Sequence, residues 1–262
     1  MNGKISRTDI RNKNPAQETK KSRIMLIAVP SKNRAGRTTT NKILPNICTF
    51  YVPESEVHQY SNVKNVIGVP NTIQGITTTR NWILENTKEK YVVFLDDDAK
   101  NVGYTKLGER KSEKIEIRDE QFWWDEFCKA FDLTEQFNYK IWGVKTEAAP
   151  RSVYPYKPIL LKTYVTASCM GIINDGEYLF DNDFKVKEDY EICLRHVRDK
   201  GGILGIRYIH WENEHWTTEG GCKDYRTIEV ERDAIKRLIK MYPGMVGSAK
   251  RKANEFTIRL NL

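Results

Sequence analysis

Three adjacent carboxylates, Asp96-Asp97-Asp98, follow directly on the apolar run Tyr91-Val-Val-Phe-Leu95. Five strand-forming residues with no polar break predict a buried central strand of a parallel sheet. The C-terminal end of such a strand is where open α/β sheets bind ligands. Like charges packed side by side raise one another's free energy unless a cation sits among them. An all-oxygen ligand set points to a hard cation, Mg²⁺ or Mn²⁺, of the kind that bridges to substrate phosphates. In a chain with 35 acidic residues the plain alternative is a solvated acidic turn. The apolar strand in front of it favours a metal–phosphate site.

Three further segments carry residue types that could serve such a site. Pro30-Ser-Lys-Asn-Arg34, with Arg37 and Thr38, follows the first apolar strand, where a nucleotide's base and phosphates lie in a doubly wound sheet. Pro30, Ser31, Asn33, Arg34 and Arg37 are therefore candidates for nucleotide contact, although taken alone the segment reads as an ordinary surface loop. Arg80, inside the helix leading to the acidic strand, could pair with Asp96 or reach a diphosphate, since a guanidinium suits both. Glu188 and Asp189 fall at a helix N-terminus, where the macrodipole and free N–H groups keep a carboxylate ionised. They could merely complement the dipole, but a metal–phosphate site needs a base to deprotonate an acceptor, and a carboxylate held there could fill that role. The chain has neither a Gly-x-Gly-x-x-Gly fingerprint nor a Gly-x-x-x-x-Gly-Lys-Ser/Thr loop, which disfavours a dinucleotide fold and removes the common NTPase reading.

The elements that must position these residues are legible as short apolar runs. Strands are expected at 24–29, 48–52, 65–69 and 91–95, with a short helix over 38–44. A second helix over 72–86 is expected to be capped by Asn71. This makes a βαβ-type nucleotide-binding half. Residues 100–118 are polar and predict a mobile loop. A helix over 121–137 repeats Trp123, Phe127 and Phe131 at four-residue spacing, a stripe that reads as core packing rather than a base-stacking platform. Strands at 139–145, within 160–173 and at 203–209 follow, with helices over 187–200, ended by Gly201-Gly202, and 224–242. A disordered basic arm at 1–23 and one domain over 24–262 are expected.

Composition narrows the partners. The 262 residues are 30% charged and 39% hydrophobic, as in a globular protein in water. No apolar run approaches the ~20 residues that span a bilayer, and the N-terminus has no signal-peptide stretch. Five scattered cysteines form no Cys-x-x-Cys pair, which argues for a reducing cytoplasm. The net charge of +8 favours anionic partners, although Lys-rich composition can also reflect codon usage. The arm carries Lys4, Arg7, Arg11, Lys13, Lys20, Lys21 and Arg23 against Asp9 and Glu18, and Lys250-Arg251-Lys252 forms a second basic cluster. Such segments often track phosphate backbones.

In this order, over roughly residues 24–242, these pieces resemble a glycosyltransferase of the GT-A fold: α/β, with a Rossmann-like, mostly parallel sheet flanked by helices. Met25–Pro30 and its polar loop look like the uridine-binding start, Thr79-Arg80-Asn81 like the segment before the acidic strand, and Asp96-Asp97-Asp98 like the Asp-x-Asp motif. Thr166-Ala-Ser-Cys-Met-Gly171 resembles the acceptor-side glycine loop, and Glu188-Asp189 the motif whose Asp is the base in inverting members. The resemblance implies a UDP-sugar donor and Mn²⁺ or Mg²⁺ held by Asp98 and Asp96, with Asp97 the least catalytic of the three. It also implies a metal-binding histidine from the last loop, for which His210 and His215 compete and His215 suits the position better. More narrowly, Gly201–His210 running into His215-Trp-Thr-Thr-Glu-Gly-Gly-Cys222 resembles the TET/JBP-associated DNA glycosyltransferases of bacteriophages. That implies an acceptor hydroxymethyl group on cytosine or uracil in double-stranded DNA, and action in the host cytoplasm. The rivals are a GT-A enzyme acting on polysaccharide or protein, a sugar-nucleotide nucleotidyltransferase, and a non-enzymatic nucleic-acid-binding module.

Overall fold

The computed structural model describes residues 23–107, 112–146, 157–214, 226–248 and 258–262. Residues 1–22 of the expected 1–23 arm, His215, Cys222 and Lys250–Lys252 lie outside the described residues. Arg23, read from the sequence as the end of that arm, is anchored instead. Its guanidinium pairs with Asp132 and stacks 4.0 Å over the Tyr91 ring.

A ten-stranded sheet runs through the molecule in the order β3-β2-β1-β4-β9-β7-β10-β5-β6, with β8 attached to β10. Its first half comprises β1 (Met25–Pro30), β2 (Cys48–Pro53), β3 (Val66–Val69) and β4 (Tyr91–Leu95), all parallel. The second half is mixed. β9 (Cys169–Ile173) runs antiparallel to both β4 and β7 (Ile141–Lys145), and β10 (Leu204–Asn213) runs parallel to β7. β8 (Ile159–Leu160) and β5 (Ala99–Leu107) pair antiparallel with β10. The parallel character expected of the sheet thus belongs to its first half. β1 and β4 lie side by side with their partners leading away in opposite directions, so their C-terminal ends open a crevice at the switch in strand order.

The period-2 alternation of β4 explains its uniformly apolar sequence. Val93 and Leu95 enter one core, and Val92 and Phe94 enter the core on the opposite face. Helix α3 (Glu120–Gln136) covers the first face with the expected stripe. Trp123, Phe127 and Phe131 are fully buried against Trp142 and Trp211, with ring centroids 5.0 to 6.4 Å apart where they meet. Asp119 caps this helix by accepting from the Gln121 N–H at 2.9 Å. Helix α2 (Ile76–Asn86) and helix α4 (Glu188–Lys200) close the second face through Ile83, Leu84, Ile192 and Cys193. Helix α5 (Ile228–Met241) packs Ala234 and Leu238 into a third cluster with Phe184, Val186 and Leu194, beside the hairpin β11 (Val246–Ser248) and β12 (Ile258–Leu260).

Two expectations need correction. Helix α2 starts at Ile76 rather than Thr72, and Asn71 does not cap it. The Asn71 side chain instead accepts from the hydroxyl and N–H of Ser55, and Gly75 (φ 96°) takes the cap position. The polar stretch 100–118 is not a loop throughout: β5 and β6 (Ser112–Glu116) form an antiparallel hairpin. Among the described residues of this hairpin, Ala99 and Val102 enter the core, and β6 carries Glu113, Lys114 and Glu116 because it is the outermost strand of the sheet. Charged side chains on an edge strand block further pairing, and their polarity hides the strand from a hydrophobic pattern.

Candidate active site

The acidic triplet sits at the C-terminal end of β4, and the loop after β1 wraps it. The Asp97 backbone carbonyl accepts from the N–H groups of Thr39 and Thr40 at 2.9 and 3.3 Å, and the Thr40 hydroxyl donates to the Asp96 carbonyl at 2.6 Å. Asp97 is buried, with one carboxylate oxygen on the Ser31 hydroxyl and the other 2.6 Å from Arg34 Nη1. The same Arg34 nitrogen lies 2.9 Å from Asp98 Oδ2. Tyr60 ties the loop down, its phenol oxygen 2.9 Å from Ser31 Oγ and accepting from the Arg34 N–H at 3.3 Å. A guanidinium is therefore the resident cation between two of the three carboxylates. The segment that reads alone as an ordinary surface loop is part of the site.

The third carboxylate points elsewhere. Asp96 accepts from Asn213 Nδ2 at 3.2 Å and lies 3.6 Å from Arg80 Nη2. Burial, and then the charge of Asp97, push the Asp98 carboxyl above its ordinary value, while Arg34 draws it back. Asp98 Oδ1 is buried and has no hydrogen-bond partner among the described residues. An unpartnered buried carboxylate oxygen costs free energy that a cation would recover.

Across the cleft, helix α4 begins on a left-handed residue, Lys187 (φ 61°), whose ammonium pairs with Glu231 of α5 at 3.0 Å. Glu188 and Asp189 follow and divide. Glu188 Oε1 lies 2.6 Å from Arg80 Nη1, so this buried guanidinium spans Asp96 on one side and Glu188 on the other. Burial and the adjoining Asp189 push the Glu188 carboxyl up, and Arg80 offsets part of that. Asp189 Oδ2 accepts from the Tyr164 phenol at 2.5 Å and Oδ1 from the Tyr190 N–H at 2.9 Å.

One cleft of about 800 Å³ brings together Pro30, Ser31, Arg34, Arg80, Asp96, Asp97, Asp98, Glu188 and Asp189. Asn33 and Arg37 do not line it. The Asn33 N–H donates to Glu56 at 2.7 Å, and the Arg37 guanidinium donates to the Asn33 carbonyl. His210 is fully buried in β10 with Nε2 3.4 Å from Asn101 Oδ1, and it too is absent from the cleft wall. Its alternative, His215, lies outside the described residues. Among the described residues no three His, Cys, Asp or Glu side chains converge as a cage for a metal. The lining also includes Tyr164, Lys185, Lys187, Tyr190 and Arg226, which the sequence does not mark out. For Tyr164 the available signal is its place two residues before Thr166-Ala-Ser. No helix among the described residues is long and apolar enough to cross a membrane.

Comparison with known proteins gives this geometry a family. No curated protein matches the chain. Among solved structures, glucosyl-3-phosphoglycerate synthase from Mycobacterium tuberculosis with phosphoglyceric acid aligns at TM-score 0.52 and 11% identity, over 91% of this chain and 89% of that one. The same enzyme with Mn²⁺ and UDP-glucose aligns at 0.52 and 10% identity, over 91% and 86%. The mannosyltransferase PcManGT from Pyrobaculum calidifontis, with GDP-Man and Mn²⁺, aligns at 0.50 and 13% identity, over 83% and 61%. S. aureus TarS 1–349 with UDP-GlcNAc aligns at 0.48 and 13% identity over 82% of this chain, which spans 66% of that chain's length. The neighbours at TM-score 0.50 and above are GT-A glycosyltransferases, and the fold is theirs. The family model described as TET-Associated Glycosyltransferase matches residues 25–221, so the chain belongs to the TET-associated glycosyltransferases.

Proposed function

We propose that this glycosyltransferase moves a sugar from a UDP-sugar onto the hydroxymethyl group of a modified cytosine or uracil in double-stranded DNA, inverting the anomeric centre. The observation that carries the reading is that two separately held carboxylate groups face one cleft across Arg80. One is Asp96 with Asp98 at the end of β4; the other is Asp189 at the start of α4. The family description points to a modified DNA base as the acceptor.

The donor carboxylates fit a hard divalent cation. All are oxygen donors, and Asp98 Oδ1 is buried without a partner. Asp98 and Asp96 would hold Mn²⁺ or Mg²⁺, joined by His215 if that residue takes the place the resemblance implies; His210, packed at Asn101, is not part of the cleft wall. When bound, the metal supplies Lewis-acid neutralisation of the departing diphosphate. Pro30, Ser31 and Arg34 form the nucleotide-side wall. Asp97 keeps Ser31 and Arg34 in place, which fits its assignment as the least catalytic of the three.

On the acceptor side Asp189 receives the proton of the acceptor hydroxyl as its oxygen bonds to the anomeric carbon and the carbon–diphosphate bond breaks on the opposite face. Glu188 is committed to Arg80, which leaves Asp189 as the base. Reaching a hydroxymethyl group inside a duplex requires the nucleotide to be flipped out, at a cost of a few kcal/mol. Lys185, Lys187 and Arg226 line the cleft where its phosphates would pass. The β5–β6 hairpin, the 1–22 arm and Lys250–Lys252 are candidates for more distant contacts, which makes DNA affinity fall steeply with salt. The test is to incubate the protein with Mn²⁺ and a panel of UDP-sugars. Duplexes bearing hydroxymethylcytosine, hydroxymethyluracil or neither are supplied in turn, and the digested nucleosides are weighed. A sugar-sized mass gain confined to a hydroxymethylated base is expected. Transfer to polysaccharide or protein but to no DNA would overturn the acceptor assignment.

A further inference from the structure

The carboxylate assigned as the base is held by a residue that no motif marks. Tyr164 reaches Asp189 from the segment between β8 and β9, donating its phenol O–H to Oδ2. Among the described residues it is the one side chain that donates a hydrogen bond to Asp189. The charged and titratable groups facing that carboxylate are Glu188 and Tyr190 beside it on α4 and Cys193 one turn on. Tyr164 faces it from the opposing segment, and Arg80 from α2 acts through Glu188.

Tyr164 is fixed from three directions before any substrate arrives. Its ring lies against that of Tyr190, with centroids 4.1 Å apart and planes 21° from parallel. On the sheet side, Val165 fills the space where a side chain at Gly143 of β7 would stand, only 2.3 Å from that Cβ position. Thr163 does the same at Gly205 of β10, at 2.5 Å. Both positions need glycine for the segment to approach this closely. On the helix side the Cys193 thiol donates to the Val165 carbonyl at 3.2 Å. Burial, reinforced by the Asp189 charge, holds the Tyr164 phenol well above its ordinary value, so it stays a donor and does not compete for the proton.

We propose that Tyr164 is a positioning residue for sugar transfer: its phenol O–H aims the Asp189 carboxylate at the acceptor hydroxyl. The role rests on Asp189 being the base. A group that acts only through orientation contributes by holding the reacting atoms in near-attack geometry, and its loss lowers turnover without loosening the donor.

The test is Tyr164→Phe in the full chain, with Asp189→Asn beside it, using UDP-sugar, Mn²⁺ and hydroxymethylated duplex. The phenyl ring keeps the stack on Tyr190 and removes one oxygen. The expected result is a kcat about 10- to 100-fold lower, the range that a hydrogen bond to a charged group commands. UDP affinity should be unchanged, and the acidic limb of the kcat/KM profile should move to higher pH, because the carboxylate has lost a donor. Wild-type kcat and an unmoved limb in Tyr164→Phe, with Asp189→Asn inactive, would overturn the role of Tyr164 and leave Asp189 as the base. An active Asp189→Asn would overturn the base assignment itself. Should Tyr164→Phe not fold, 3-fluorotyrosine at position 164 keeps the shape and strengthens the donor. The limb should then move to lower pH, and a limb that stays in place contradicts the proposal.

Discussion

The two walls of the cleft hold their carboxylates in different ways. On the β4 side, Asp97 and Asp98 share one guanidinium nitrogen of Arg34, and the arrangement is pinned by Ser31, Thr39, Thr40 and Tyr60 of neighbouring elements. On the α4 side, Glu188 takes a guanidinium nitrogen of Arg80 for itself, and Asp189 is held by neutral donors, the Tyr164 phenol and the Tyr190 N–H. A carboxylate shared with a cation and buried suits a structural or metal-holding task. One held only by neutral donors keeps its charge available for a proton. Arg80 touches both walls, which makes it the structural link between them.

The comparison breaks most visibly at Asp98. Asp98→Ala should lower transfer by at least about 10²-fold, and excess EDTA should do the same to the wild-type protein; transfer that survives chelation would remove the metal from the β4 wall. Next in size is the contrast within α4. Asp189→Asn should cost about 10²- to 10⁴-fold in kcat, whereas Glu188→Gln, which still offers Arg80 an acceptor, should cost less than about tenfold. Equal losses would erase the division between the two. Arg34→Met leaves Asp97 and Asp98 without their guanidinium. It should lower stability on the order of 3 kcal/mol, and Mn²⁺ should raise its melting temperature more than that of the wild type. Equal gains would mean that Arg34 and metal do not serve the same charges.

The smallest effect is the pH response of helix α4, away from the cleft. His196 of α4 is buried, its Nε2 accepting the Lys140 N–H at 2.9 Å and its Nδ1 2.7 Å from the Gly202 carbonyl. Burial pushes its pKa down from 6.5 to about 4. The unfolded chain therefore takes up this proton first, so stability present above pH 6.5 is lost as pH falls toward 4. Asp98 and Glu188, both raised, change stability in the opposite sense, as do groups of their kind whenever the folded state binds the proton more tightly. Comparing His196→Gln with the wild type by urea unfolding isolates the histidine. The acid-side loss should shrink by about 1 to 3 kcal/mol, and parallel curves for the two proteins would contradict the assignment.

Much of the β4 wall was legible because its signals are local. An unbroken apolar strand followed by carboxylates places the triplet at a strand end, and the helix stripe of Trp123, Phe127 and Phe131 names the core that supports it. The role of Arg34 was not legible, since its partners lie 63 and 64 residues away and only the fold brings them together. The same holds for Asn213, which reaches Asp96 because β10 runs on past residue 209. The β5–β6 hairpin was hidden by its edge position, where charge replaces the apolar alternation that marks interior strands. The role of Tyr164 was not legible, because its significance comes from two glycines on other strands and a helix that starts 24 residues later. The TET-associated character came from family resemblance and not from physics, and the family match bears it out.

The division between the walls is tested most directly by the calorimetric affinity for UDP with Mn²⁺ of the Asp189→Asn protein, set beside that of Asp98→Ala. Wild-type affinity in Asp189→Asn, with a weakening of at least about tenfold in Asp98→Ala, is the predicted result. An Asp189→Asn protein that loses UDP as completely as Asp98→Ala would contradict it, because both walls would then belong to the donor.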